Sequence, residues 1–168
     1  MTGCQIRGHA TVITRQNCCQ PERLYRTLRD QGSSYLQFVP LQARDNPESI
    51  TDLQWGAFLT AVFDVWVRED VGRVCVQLFE STLEIWRGHP VQSGSCTLPD
   101  ECQGCPVRYL CSNESADDPP EGKNRLCAGY QAFFRHSAPY MRVMRDLIRH
   151  HRSPVELMAL LQQSHRAS

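Results

Sequence analysis

Residues 9–41, HATVITRQNCCQPERLYRTLRDQGSSYLQFVPL, decide the fold. HATVIT (9–14) is β-branched and short, and reads as a strand. Residues 21–30 carry proline at the first helical position and Gly32 just past the end, the asymmetry expected of a helix. YLQFVPL (35–41) reads as a second strand. Strand, helix, strand in so short a span is a βαβ-like unit, which pairs its strands in parallel.

Working outward, Thr51 opens a longer helix with Gln54 placed for a capping box. Its Trp55, Phe58, Leu59, Val62, Phe63 and Trp66 recur at helical spacing, so one face is apolar. These aromatics are read as core. Gly72 ends that helix, VCVQLF (74–79) is expected to form a third strand, and residues 81–87 a short helix. The alternation argues for a parallel α/β sheet. From Gly88 to Gly129 the chain turns to proline, glycine, serine and cysteine without periodicity, so a compact core there needs a staple other than apolar packing. Residues 130–151 are helical, with Pro139 expected to interrupt them, and Ser153-Pro154-Val155-Glu156 starts a last helix carrying Leu157, Leu160 and Leu161. No internal repeat is found.

The 168 residues are enough for one ordinary domain. Lysine plus arginine equals aspartate plus glutamate at 18 each, so no overall field draws in nucleic acid or an anionic membrane. Charge breaks every apolar run well short of the roughly 20 residues needed to span a bilayer, and Met1-Thr2-Gly3-Cys4-Gln5 is not a secretory start. A cytoplasmic location is expected. Nine cysteines in a reducing compartment point to metal binding or redox work rather than lasting disulfides.

Cys102, Cys105, Cys111 and Cys127 form C-x2-C-x5-C-x15-C. Two cysteines three apart can reach one metal centre from a tight turn, and Gly104 and Pro106 help make one. An iron–sulfur cluster is favoured; zinc and unligated thiols stay open, although zinc ribbons usually pair two C-x2-C knuckles and the second is missing here.

Four stretches carry a resemblance. They are NCCQPERLYRTLRDQGSSYLQFVPL (17–41), QWGAFLTAVFDVWVREDVGRVCVQLFESTLEIWRGHP (54–90), TLPDECQGCPVRYLC (97–111) and LCAGYQAFFRHSAPYMRVMRDL (126–147). Together they resemble the later part of the anaerobic sulfatase-maturating enzymes of the radical S-adenosylmethionine superfamily, which carry a SPASM extension. TLPxxCxxCxVRxxC and LCAGYxxFF are the specific elements. The resemblance implies the oxidation of a sulfatase cysteine or serine to formylglycine, with one cluster in a partial barrel and two auxiliary clusters in the extension. It also implies that Cys102, Cys105, Cys111 and Cys127 hold one auxiliary [4Fe-4S] cluster.

Two departures qualify that implication. The family's CxxxCxxC, which holds the cluster that cleaves S-adenosylmethionine, matches no spacing in these residues, so no S-adenosylmethionine site is expected. Between Gly88 and Thr97 the family has a long insert with most ligands of the other auxiliary cluster and a carboxylate resembling its catalytic base; only HPVQSGSC stands here, and Ser115 replaces a further ligand. Catalytic residues are therefore expected to be absent, and the chain is read as truncated.

The remaining features have plainer readings. Cys75 is expected in the core, Cys18-Cys19 as an incidental pair, and Cys96 as the runner-up ligand. Arg135, Arg142, Arg145, Arg149 and Arg152, with only Asp146 among them, give a local charge near +4. This reads as a solvated face that offsets nearby thiolates rather than as a nucleic-acid surface. His136, His150 and His151 read as surface histidines.

The expected architecture is α/β: residues 1–90 a fragment of a partial (βα) barrel, 91–128 a cysteine-rich SPASM-like loop region, and 129–168 a helical tail. An open barrel edge predicts association with itself or a second polypeptide, such as a radical S-adenosylmethionine chain or a sulfatase, and no membrane. The expected function is an accessory module or remnant that binds one cluster without radical chemistry. Half of a split maturase, or a DNA-binding regulator acting through the arginines, are the alternatives. If a cluster staples the loop, Cys105→Ser is expected to cost the folded C-terminal half.

Overall fold

The computed structural model describes residues 8–89, 99–111 and 123–166. Three parallel strands lie in the order β1 (Gly8–Ile13), β2 (Tyr35–Pro40) and β3 (Cys75–Val76), with Gly8 opposite Tyr35 and Tyr35 opposite Cys75. α1 (Pro21–Asp30) joins the first two with Pro21 in its first turn, and Gly32 takes a positive φ of 90° beyond its end. β1, α1 and β2 lie within a residue of the expected bounds.

α2 (Asp52–Glu69) begins with the expected capping box: Thr51 Oγ1 accepts from Gln54 N–H at 3.2 Å and Gln54 Oε1 accepts from Thr51 N–H at 3.1 Å. Its apolar side chains are too many for one stripe, and the helix is correspondingly buried on several sides. Trp55, Phe58, Phe63 and Trp66 are at most 1% exposed, and the Trp66 indole N–H donates to the Val74 carbonyl at 2.7 Å. α2 packs along α5 (Cys127–Arg149), where Phe63 meets Phe133 at 5.7 Å and Tyr140 at 5.6 Å between ring centres.

The third strand is a correction. Only Cys75 and Val76 pair, and α3 (Gln77–Trp86) starts four residues before the expected helix, because Phe79 turns inward against Phe63 and Phe133. Pro139 is a second correction: α5 continues through it, with Phe133, Met141 and Met144 buried on either side. That packing offsets the hydrogen bond which proline cannot donate. α6 (Glu156–Arg166) buries Leu157 and leaves Leu160 exposed.

The C-terminus of α2 is tied to α1 by charge. Asp70 is fully buried, and its Oδ2 accepts from the Tyr25 hydroxyl and from Arg29, both at 2.9 Å. Glu69 accepts from Arg26 at 2.8 Å and from Arg29 at 2.6 Å. The sheet has one covered and one open face. Ile13 and Leu36 are buried, whereas the register partners Val12 and Val39 are 51% and 39% exposed.

Candidate functional site

The cysteine segment has little regular structure of its own and is held by its turns. α4 (Asp100–Gln103) carries Cys102, and Gly104 ends it. Cys105 N–H returns to the Cys102 carbonyl at 3.2 Å, Arg108 N–H to Cys105 at 3.2 Å, and Cys111 N–H to Arg108 at 3.1 Å. These successive turns pack Cys102, Cys105 and Cys111 into one short coil. Val107 and Leu110 are buried and anchor it to the core, and Tyr109 meets Trp86 at 6.2 Å.

Cys127 arrives from the other direction as the first residue of α5. The buried Asn124 shapes its approach, accepting from Leu126 N–H at 2.8 Å through its side chain and from Cys127 N–H at 3.0 Å through its carbonyl. The start of α5 is fixed by a close crossing: a Cβ on Gly129 would lie 2.3 Å from the Asp52 carbonyl oxygen and 2.9 Å from Gly56 N. Glycine is required there for the two helices to meet backbone to backbone.

The loop and the helix meet at Gln131. Its Nε2 lies 3.4 Å from Cys127 Sγ and 3.6 Å from Cys105 Sγ, donating toward both, while its Oε1 accepts from Arg135 at 3.5 Å. All four cysteines are half-buried, and Cys102, Cys105 and Cys127 carry free thiols. Burial pushes the Cys127 thiol up; Lys123 and Gln131 oppose this, and Cys105 and Cys102 add to it. Burial, and then the neighbouring Cys111, push up the Tyr130 phenol. Lys123 is in turn raised first by Cys127 and then by Glu101, to which it pairs at 3.5 Å. Among the described residues, no three histidine, cysteine or carboxylate side chains close around one point as a finished metal site.

Other candidate residues have structural neighbours. Cys18 is buried and Cys19 exposed, and both thiols donate to the Arg15 carbonyl, at 3.3 and 3.4 Å. Cys75 is only half-buried, short of the core position expected for it. His136 is half-buried and bonds Asp64 at 2.7 Å across α2 and α5, which corrects its reading as a surface side chain. Arg145 pairs with Asp146 at 2.8 Å and lies 5.5 Å over the Trp86 ring, and Arg152 pairs with Glu156. Cys4, Cys96 and Ser115 lie outside the described residues.

Sequence reasoning missed Gln131 and Lys123. The signal available for Gln131 was its place one helical turn after Cys127, which puts both on one face of α5. A shallow groove of about 460 Å³ between α2 and α5, lined by Asp52, Gly56, Thr60, Asp64, Gly129 and Ala132, contains none of the four cysteines. No helix among the described residues is long and apolar enough to cross a membrane.

No protein-family profile matches the chain. In fold it is similar to native anSMEcpe with bound AdoMet, at a TM-score of 0.68 and 18% identity, covering 83% of this chain and 57% of that one. The complex of that protein with AdoMet and the Kp18Cys peptide gives 0.67, with 82% and 57% covered. In sequence it is 26% identical over 235 aligned positions to the serine-type anaerobic sulfatase-maturating enzyme of Bacteroides thetaiotaomicron, covering 89% of this chain and 56% of that enzyme. The chain therefore has a mixed α/β fold like that of the maturating enzyme and distant kinship with it, while spanning little more than half the length of these longer relatives. With the uncharacterized protein YidF of Escherichia coli (strain K12) it shares 39% identity over 171 positions, 96% of this chain and 99% of that protein. On that likeness, the chain belongs to the family of YidF.

Proposed function

We propose that the chain binds one [4Fe-4S] cluster through Cys102, Cys105, Cys111 and Cys127, as a SPASM-like accessory or remnant module beside a partial barrel fragment, without radical chemistry of its own. The observation that carries this reading is the Gln131 amide, which faces the sulfurs of Cys105 and Cys127 together. Two cysteines 22 positions apart in sequence share one donor, and the Cys127 thiol senses both Cys102 and Cys105. Four sulfurs are the donor chemistry of an iron–sulfur cluster; they also suit zinc, which is the alternative. Bound there, the cluster would supply one-electron transfer and a staple for the loop. The chain's own residues hold the site together: Val107 and Leu110 anchor the coil, Asn124 sets the approach of Cys127, and Gly129 fixes the helix start.

Iron, sulfide and visible absorption of protein purified without oxygen test the reading. About four irons and four sulfides per chain, with broad absorption, are expected of a four-thiolate cubane; stoichiometric zinc, or no metal after reconstitution, would overturn it. A cytoplasmic location is part of this proposal, since clustered cysteines in a reducing compartment bind metal more often than they form lasting disulfides.

A second reading, half of a split maturase, is favoured by one observation. The open face of the sheet carries Val12 and Val39, on a chain covering 57% of the solved relative. It predicts co-purification with a chain bearing CxxxCxxC, and recovery of this chain without such a partner would count against it. Nucleic acid remains disfavoured, since Arg135, Arg145 and Arg152 are each engaged within the protein.

A further inference from the structure

We infer that Gln131 is a positioning residue which orients the thiolates of Cys105 and Cys127 and sets the reduction potential of the group they hold; this rests on the cluster reading above. An ordinary glutamine on a helix face would be solvated. Here the carboxamide is engaged at both ends. Arg135, one turn further along α5, donates to its Oε1 at 3.5 Å, a partner that favours the oxygen at that end of the amide. The NH₂ end is left facing the sulfurs at 3.4 and 3.6 Å.

A hydrogen bond to an ionised acceptor is roughly twice as strong as a neutral one, so the amide favours the thiolate over the thiol. On a cluster, the same bond favours the state with more negative charge on sulfur, which is the reduced one. The arrangement also explains a spacing. Cys127 and Gln131 are i and i+4 on one helix, so the residue that donates is carried by the element that brings the fourth cysteine.

The test uses the full chain, reconstituted anaerobically and reduced by one electron with dithionite through redox mediators. Wild type, Gln131→Leu and Gln103→Leu are compared at a fixed ambient potential equal to the wild-type midpoint. Gln103 lies between Cys102 and Cys105 but donates to Asp100 at 3.0 Å, so it serves as a neighbouring control. The reduced-to-oxidised ratio is expected to fall several-fold in Gln131→Leu and to stay at the wild-type value in Gln103→Leu. A folded Gln131→Leu protein that retains less iron than Gln103→Leu also supports the assignment, because positioning has then failed. Equal iron and an unchanged ratio in Gln131→Leu would overturn the role given to Gln131 and leave the cluster reading intact. An iron-free wild type would overturn the cluster reading itself, and this inference with it.

Discussion

Replacing Gly129 with alanine places a methyl carbon 2.3 Å from the carbonyl oxygen of Asp52 and 2.9 Å from the nitrogen of Gly56. Both obstacles are backbone of α2, so no side chain can swing aside and α5 itself must move. Overpacking of this kind costs typically 1–3 kcal/mol, and a rigid wall puts it near the top, about 3 kcal/mol. Alanine recovers about 1 kcal/mol of helix propensity, leaving a net loss of about 2 kcal/mol. For a chain of this length that lowers the Tm by roughly 4–8 °C. Gly104→Ala is the internal control, since its φ is −92° and a Cβ there meets nothing within 4 Å; it should unfold at or slightly above the wild-type temperature. Thermal unfolding followed by circular dichroism separates the two. Gly129 lies two residues from Cys127, so on the proposed cluster reading iron retention should fall with the Tm in Gly129→Ala. A Gly129→Ala protein as stable as Gly104→Ala would refute the close crossing.

Four further outcomes are expected. Asp70→Ala strands the Tyr25 hydroxyl and Arg29 around a site that is fully buried and should cost about 3 kcal/mol in urea unfolding, whereas Tyr25→Phe should cost about 1 kcal/mol. Glu69 is held below the usual carboxylate range by Arg26 first, with Arg29 assisting; its contribution is present above about pH 4.3 and lost as pH falls further. Glu69→Gln should therefore flatten the acid limb of stability against pH. Glu80 has the opposite sign, because burial first and then Glu84 raise its carboxyl; Glu80→Gln should stabilise the protein at neutral pH in urea unfolding, a gain that fades as pH falls through the raised value. The sequence alone predicts that Cys105→Ser costs the folded C-terminal half, but the packing of Phe133 on Phe63 and Phe79 changes the expectation. Cys105→Ser should leave far-ultraviolet circular dichroism near wild type and open residues 99–111 to limited proteolysis; loss of helix signal would mean that the cysteine site, rather than the aromatic core, holds α5 in place.

Much of the fold was legible where local chemistry and packing agree. Pro21 and Gly32 bracket α1, and Thr51 with Gln54 marks the start of α2 as a capping box must. The third strand failed for a physical reason: VCVQLF is a short apolar run that suits either a buried strand or a buried helix turn. Phe79 settles the competition by reaching Phe63 at 5.2 Å and Phe133 at 5.3 Å, contacts with residues 16 and 54 positions away that no local pattern reveals. Pro139 misled in the same way, since the loss of one backbone hydrogen bond is visible in sequence and the burial of Met141 and Met144 is not. Of the four cysteines read from the spacing, the structure brings Cys105 and Cys127 to one donor, Gln131 Nε2, at 3.6 and 3.4 Å. Gln131 was not legible, because the amide's meaning depends on a loop arriving from 26 residues upstream.

The two halves of the molecule depend on different physics, and α5 joins them. Its middle belongs to the core: Phe133 and Met141 are fully buried, and Phe133 stacks on Phe79. Its first turns belong to the cysteine site through Cys127 and Gln131. Residues 99–111 have far less to hold them, chiefly Val107, Leu110 and the edge of Trp86. A coil with so little apolar area cannot offset the entropy of ordering its backbone, about 1–2 kcal/mol per residue, by packing alone. The shortfall falls at the one segment where cysteines concentrate. Sulfur ligation of a shared group, as proposed, would close that gap without altering the helical core, so α2 and α5 are expected to stay packed whether or not the group is bound.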